Sequence, residues 1–239
     1  MARPLSEEAL RKLRAAGIST LTTCLYRRGF KNVHLRGLLP VAAGLPRMAG
    51  PAFTLRFIPA REDVGQIASY AAGPGIHQRA FEECPPGHVL VIDADGETGA
   101  CTCGNLLVGR LKARQVEGIV TDGGYRDSQE IAALSFPAYQ AGPAPPPSFL
   151  RLHAVALNEP VGCAKVAIYP GDIMVGDSEG VVAIPAALAD EVAAEAHDMM
   201  RYDAFAAAQI DAGRSLYGLY PPNDAARAEF EKWERAGGS

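Results

Sequence analysis

A chain of 239 residues, 48% hydrophobic and 21% charged, has a globular composition and the length of one domain with an extended terminus. Its formal net charge of −4 gives no electrostatic reason to bind nucleic acid, and no apolar run reaches the roughly 18–20 residues of a membrane span. The opening Met-Ala-Arg-Pro-Leu-Ser-Glu-Glu lacks the apolar core of a secretion signal, so a cytoplasmic location is expected, with the five cysteines as reduced thiols.

Ser6 is placed to cap a first helix to about Ala16, closed by Gly17, and Ser19 to cap a second that ends near Arg28. Residues 37–50 read as loop and short strand. Phe53–Phe57 alternates, which predicts a strand with Phe53, Leu55 and Phe57 inward and Thr54 and Arg56 outward. A charged loop follows at Pro59–Asp63, then a helix over Gln78–Glu83 with His77 at its edge, within reach of a site. No histidine shows the spacing of a helical zinc site, and none is assigned a catalytic role. Val89–Ile92 is apolar throughout, as in a sheet buried on both faces, and Asp93–Gly96 reads as a turn. Cys101 and Cys103 would share one face of a strand and read as ordinary buried thiols.

Beyond residue 136, short strands are expected at Pro137–Gln140, Leu152–Leu157, Cys163–Ile168, Ile173–Val175 and Val181–Ile184, with a stiff proline-rich connection at 141–147. Asp177 and Glu179 fit turn geometry and solvation. Pro185 opens a long helix towards Ala212. An aromatic and proline-rich segment, Tyr217–Pro222, and a polar helix, Asp224–Arg235, then form an arm suited to packing on another subunit.

The chemistry concentrates in Gly104–Ser128. Asn105 is a candidate cap for a helix carrying Leu106, Leu107, Leu111 and Val116, stopped by Gly118. Ile119–Thr121 is a strand, Asp122-Gly123-Gly124 a turn, and Ser128 a cap for a helix to Leu134. A helix N-terminus offers unpaired N–H groups to a carboxylate or phosphate. Arg126 can grip a carboxylate through two parallel hydrogen bonds, and Asp127 can hold a hard divalent cation.

Gly118-Ile-Val-Thr-Asp-Gly-Gly-Tyr-Arg-Asp127 resembles the hallmark segment of the RraA-like family, which includes class II pyruvate aldolases. Arg47–Leu55, Pro86–Asp93 and Pro170–Pro185 resemble further segments of that family, in order. The resemblance implies an α/β, three-layer β/β/α swivelling-type domain with N-terminal helices and a helical C-terminal arm. Its parts would be N-terminal helices over 1–36, a core over 37–185 and an interface helix and arm over 186–239. The implied activity is that of a lyase dependent on Mg²⁺ or Mn²⁺, cleaving a pyruvate-type 2-oxo acid such as 4-hydroxy-4-methyl-2-oxoglutarate or decarboxylating oxaloacetate. Asp127 would anchor the metal. Gly104, Leu106, Leu107 and Arg126 would bind substrate. A glutamate from a neighbouring subunit, with Glu195 the choice and Glu191 and Asp198 as alternatives, would complete the site in a homotrimer or dimer of trimers. Arg61 and Glu62 lie in a region that borders the family's site.

One position departs from that pattern. The aldolases place an acid twenty residues before the Arg-Asp pair, and this chain has Asn105 there. Asn can accept a hydrogen bond from a water but cannot act as a general acid or base. Asp122 either caps its turn or stands in for the missing acid. The departure keeps two other readings open: a non-catalytic relative that binds an endoribonuclease, as RraA does, and a sugar-acid lyase or hydratase.

Overall fold

The computed structural model describes residues 5–63 and 75–237. Its central strand is β2, Met48–Pro59, long enough to serve three neighbours. β3 (Val89–Asp93) pairs with it in parallel along one edge, from Ala52 to Arg56. The other edge is divided: the start of β2 pairs antiparallel with β10 (Ile173–Asp177) and its end with β9 (Leu152–Leu157). Beyond β3 lie β5 (Gly118–Thr121) and β7 (Ala138–Gln140), both parallel, with β1 (Leu39–Pro40) antiparallel at that end and β11 (Gly180–Ile184) at the other.

A second, all-parallel sheet consists of β4 (Cys101–Cys103), β6 (Gly124–Tyr125) and β8 (Gly142–Pro143). Its order repeats that of the parallel strands behind it, because β3, β5 and β7 each run on into β4, β6 and β8. The small sheet therefore stands beyond the carboxyl ends of parallel strands, where open α/β sheets bind ligands. Gly124 is required at its centre, since a Cβ there would collide with the Gly142 carbonyl of β8.

Both faces of the main sheet are covered, which is why its strands read as unbroken apolar runs. Val89 and Val91 point to one cluster with Met48, Val120, Tyr139 and Met174. Leu90 and Ile92 point to another, completed by Phe81 of α3 (Ile76–Glu83), Leu111 of α4 (Asn105–Ala113) and Ile131 of α5 (Ser128–Ala133). Thr54 is buried for the same reason, not outward as its alternation suggests, and its hydroxyl donates to the Glu159 carbonyl.

A third cluster joins the two ends of the chain. Helices α1 (Glu7–Ala15), α2 (Ile18–Arg27) and α6 (Ala189–Asp211) pack on Ile173, Val175, Val182 and Ile184. Each large apolar side chain buried there contributes about 1.5–3 kcal/mol. α2 starts at Ile18 rather than after a Ser19 cap, because the Ile18 N–H donates to the buried Asp177 carboxylate at 3.1 Å, a tertiary substitute for a capping side chain. The arm helix α7 (Asp224–Arg235) folds back on its own chain, with Phe230 and Trp233 against Tyr202 and Phe205 of α6. Tyr217 and Tyr220 stay exposed.

The stretch Cys163–Ile168 is not the strand its apolar residues suggest. Cys163–Lys165 is a 3₁₀ turn with Ala164 and Lys165 at positive φ, and only Ile168 bridges, to Val161. Within that turn the Ala164 N–H donates to the buried Asp122 carboxylate at 3.0 Å. Among the described residues, no helix is long and apolar enough to cross a membrane.

Candidate active site

Two loops leave the small sheet side by side. β4 passes through Gly104 into α4, and β6 passes through Arg126 and Asp127 into α5. The Arg126 N–H donates to the Cys103 carbonyl at 3.0 Å and ties the loops together. Tyr125, fully buried, anchors the second loop: its hydroxyl donates to the Tyr139 carbonyl at 2.9 Å and its N–H to the Gln140 side chain at 2.8 Å.

Gly104, not Asn105, is the N-cap of α4, and Asn105 is the first helical residue. The reason is steric. A Cβ on Gly104 would lie 2.8 Å from both the Cγ of Arg126 and the Oδ2 of Asp127. Only a glycine lets those side chains fold over the helix start. The first intrahelical bond near that start runs from the Val108 N–H to the Gly104 carbonyl at 3.2 Å, so the N–H groups of Asn105, Leu106 and Leu107 have no intrahelical acceptor. The helix ends at Ala113 in a turn capped by Arg114, and Gly118 lies within β5 instead of stopping the helix.

Asp127, not Ser128, is the cap residue of α5, and it adopts the left-handed conformation at φ 55°. That conformation costs a non-glycine residue of order 1 kcal/mol and places the carboxylate beside Arg126, with Nε to Oδ2 at 3.3 Å. Arg126 and Asp127 keep about half and a third of their side-chain surface exposed, respectively.

Gly104, Asn105, Leu106, Leu107, Arg126 and Asp127 all line one cleft of about 470 Å³. These are the residues the sequence singles out at this turn, and the fold brings them together. Its wall also includes His77, which its place at a helix edge puts within reach of a site, and Cys101, Cys103, Pro147, Ser148 and Phe149. The signal available for His77 is its place at the edge of α3. Its Nε2–H donates to the Thr102 carbonyl at 2.8 Å, and its ring packs edge-on against Phe57 and Phe81. Burial pushes the imidazole below its ordinary value, and the Thr102 hydrogen bond opposes this. Burial likewise raises the Cys101 and Cys103 thiols, so both are protonated and inert at neutral pH.

Four candidates lie elsewhere, Asp122, Arg61, Glu62 and Glu195. Asp122 is buried beneath the Gly-Gly turn, with Oδ1 accepting the Ala94 N–H at 2.7 Å and Oδ2 the Ala164 N–H at 3.0 Å, and it does not line the cleft. Of its two readings, turn capping is the one the structure supports. Arg61 is exposed and paired with Asp63 at 2.6 Å, and neither it nor Glu62 lines the cleft. Glu195 lies on α6 between Arg27, at 2.7 Å, and Arg28, so within one chain its charge is already neutralised. Among the described residues, no group of three His, Cys, Asp or Glu side chains is arranged to hold a metal.

The RraA-like profile, described as Aldolase/RraA, matches residues 18–183. A protein of Halalkalibacterium halodurans, provisionally named 4-hydroxy-4-methyl-2-oxoglutarate aldolase, is 37% identical over 107 residues, 45% of this chain and 50% of its own. The matched stretch is thus about half the length of that curated relative. Streptomyces coelicolor RraAS2, described as an unusual member of the RNase ES inhibitor RraA protein family, has a TM-score of 0.73 at 31% identity, covering 85% of this chain and 97% of its own. An uncharacterized protein from Pseudomonas syringae pv. tomato has a TM-score of 0.80 at 24% identity, covering 92% of this chain and 96% of its own, which speaks for the fold alone. The profile spans the paired sheets and the Arg126–Asp127 turn together, and the chain belongs to the RraA-like family.

Proposed function

We propose that the protein is a divalent-metal-dependent carbon–carbon lyase acting on a pyruvate-type 2-oxo acid. One observation carries this reading: Arg126 and Asp127 stand over the open N-terminus of α4, in space that Gly104 leaves free. The name of the Halalkalibacterium halodurans relative supports it.

The donors suit a hydrated Mg²⁺ or Mn²⁺. Such an ion needs only one or two carboxylates beside water and substrate oxygens. Asp127 would hold it, and the Asn105 amide oxygen would accept a hydrogen bond from a water in its shell. When bound, the ion would supply Lewis-acid stabilisation of the charge that the 2-oxo group takes up as the C3–C4 bond breaks.

Arg126 binds the substrate carboxylate through its planar fork. The free N–H groups of Leu106 and Leu107 and the positive end of the α4 dipole add fixed donors to the same anionic end. His77 does not serve as the acid, since its Nε2–H is spent on the Thr102 carbonyl. Asn105 has no proton to give at neutral pH, so the proton taken up at C3 comes from water in the cleft. Assembly as a homotrimer or dimer of trimers is part of the proposal. Glu195 could serve a neighbouring site only by leaving, or by sharing, its Arg27 and Arg28 partners.

The test is pyruvate release from oxaloacetate and from 4-hydroxy-4-methyl-2-oxoglutarate, with Mg²⁺ or Mn²⁺, with and without EDTA, for the native protein and Asn105→Asp. Release that requires metal and is lost in Asp127→Ala supports a lyase. Silence from both proteins on both substrates sinks the reading. Asn105 is the observation that favours a second one, a non-catalytic binding protein, which would be indifferent to EDTA and sensitive to surface substitutions instead.

A further inference from the structure

The Arg126–Asp127 turn is held from behind by a side chain that does not line the cleft. Building on the lyase reading above, we infer that Gln140 is a positioning residue of this site: it sets the left-handed posture of Asp127 and the aim of Arg126 without touching a ligand.

β7 reads Ala138-Tyr139-Gln140, a strand buried along its whole length. Ala138 joins the cluster beneath α4 and α5, and Tyr139 the cluster on the opposite face. Alternation therefore turns Gln140 to the α4–α5 side, where it is 8% exposed. An amide buried there needs partners at both of its ends. It finds them on the two residues that flank Arg126 and Asp127. Oε1 accepts the Tyr125 N–H at 2.8 Å, and Nε2 donates to the Ser128 hydroxyl at 3.3 Å. That hydroxyl donates in turn to the Tyr125 carbonyl at 3.3 Å. The circuit needs a group that accepts at one end and donates at the other, as an amide does and a carboxylate or thioether does not.

Fixing both flanks determines what lies between them. Asp127 holds φ 55° and ψ 40°, a conformation that a non-glycine residue keeps only where its surroundings over-determine it. The bond from the Arg126 N–H to the Cys103 carbonyl, at 3.0 Å, is a third tether. The three hold Asp127 Oδ2 and Arg126 Cγ over the start of α4, in the space that Gly104 leaves free. Gln140 acts on a ligand only through this turn.

The experiment reads posture and turnover separately. In isotope-labelled protein the Asp127 Cα and Hα chemical shifts report its left-handed backbone, whatever the global stability. Gln140→Met keeps the length of the side chain and breaks both bonds, so those shifts are expected to move towards the values of an averaged backbone. Pyruvate release from oxaloacetate with Mg²⁺ is expected to fall by about tenfold or more in kcat/KM. Ser128→Ala, at a half-buried position, is expected to move the same shifts in the same direction and to lower kcat/KM by about threefold. Ser128→Thr restores the hydroxyl and is expected to recover both. These two variants carry the test where Gln140→Met does not fold. A native protein without turnover on oxaloacetate or 4-hydroxy-4-methyl-2-oxoglutarate would sink the lyase reading, and the inference would then stand on moved Asp127 shifts and fall on unmoved ones. Asp127 shifts unchanged in Gln140→Met and Ser128→Ala would overturn it, and a lowered urea midpoint beside them would assign Gln140 to the fold alone. Unchanged kcat/KM in an active protein whose Asp127 shifts have moved would overturn it too.

Discussion

Asp122 and Asp127 flank the same Gly-Gly turn, and the fold uses them in opposite ways. Asp122 is 5% exposed, and both of its oxygens are taken by backbone N–H groups, from Ala94 at 2.7 Å and Ala164 at 3.0 Å. Burial pushes its carboxyl above the ordinary value, and those N–H bonds pull it back. Asp127 keeps 34% of its side chain exposed, sits in a left-handed conformation and receives no capping hydrogen bond; Arg126 is its ion-pair partner. A carboxylate whose lone pairs are used by the backbone belongs to the fold. One held at a conformational cost with its lone pairs open is available to a ligand.

Substituting the two aspartates tests that division, and the larger effect on stability is expected at Asp122. Asp122→Ala strands the buried Ala94 N–H at roughly 1–3 kcal/mol and the part-buried Ala164 N–H at less, so a loss of about 2–4 kcal/mol is expected in urea unfolding. Asp127→Gly removes an exposed ion pair worth about 0–1 kcal/mol and relieves a left-handed residue by a similar amount, leaving stability nearly unchanged. Its metal-dependent pyruvate release should drop by about 100-fold or more, equivalent to about 2.7 kcal/mol. Mn²⁺ affinity, measured by electron paramagnetic resonance titration, should fall with it. A stable Asp122→Ala, or a fully active Asp127→Gly, would break the comparison.

Much of this arrangement was legible in the residues, because it is written locally. The order helix, strand, Gly-Gly, Arg126–Asp127 follows from periodicity and turn chemistry, and Val89–Ile92 declares a sheet covered on both sides. What was illegible depends on contacts between distant residues. Alternation turned Thr54 outward, but β2 is covered on both faces. Cys163–Ile168 has strand composition, yet a carboxylate from the β5–β6 turn bends it. Asn105 has the chemistry of a cap, but the helix takes its cap one residue earlier, at Gly104, where a side chain would displace Arg126 and Asp127. His77 was legible as a residue within reach of a site, but Phe149 reaches the cleft from the connection before β9, and no spacing in the sequence announces that meeting.

Gly104 is where the first loop passes beneath the side chains of the second, and it gives a sharper, smaller test. In Gly104→Ala the new methyl meets Arg126 Cγ and Asp127 Oδ2, each at 2.8 Å. Neither side chain is buried, so both can swing towards solvent, and stability should change by less than about 1.5 kcal/mol. The productive geometry is lost in that swing, and kcat/KM should fall by about tenfold or more. Retained kcat/KM with a clear loss of stability would mean that Gly104 serves the fold and not the cleft.

His77 separates place from availability, since it lies in the cleft like Asp127 but is committed like Asp122. Its Nε2–H is bonded to the Thr102 carbonyl, and burial holds its imidazole below the ordinary value of 6.5. A histidine whose pKa is lower in the folded state takes up its proton more readily when unfolded. Its contribution to stability is therefore complete above the unfolded value and is lost as the pH falls below it. The native protein should lose more of its urea midpoint between about pH 7.5 and about pH 5.5 than His77→Gln, whose side-chain N–H can still reach Thr102 but does not titrate. Pyruvate release at neutral pH should differ between the two by less than about threefold, because the imidazole has no proton to exchange with substrate. A collapse of turnover in His77→Gln with an unchanged acid profile would instead place His77 with Asp127, as a group that acts on the ligand.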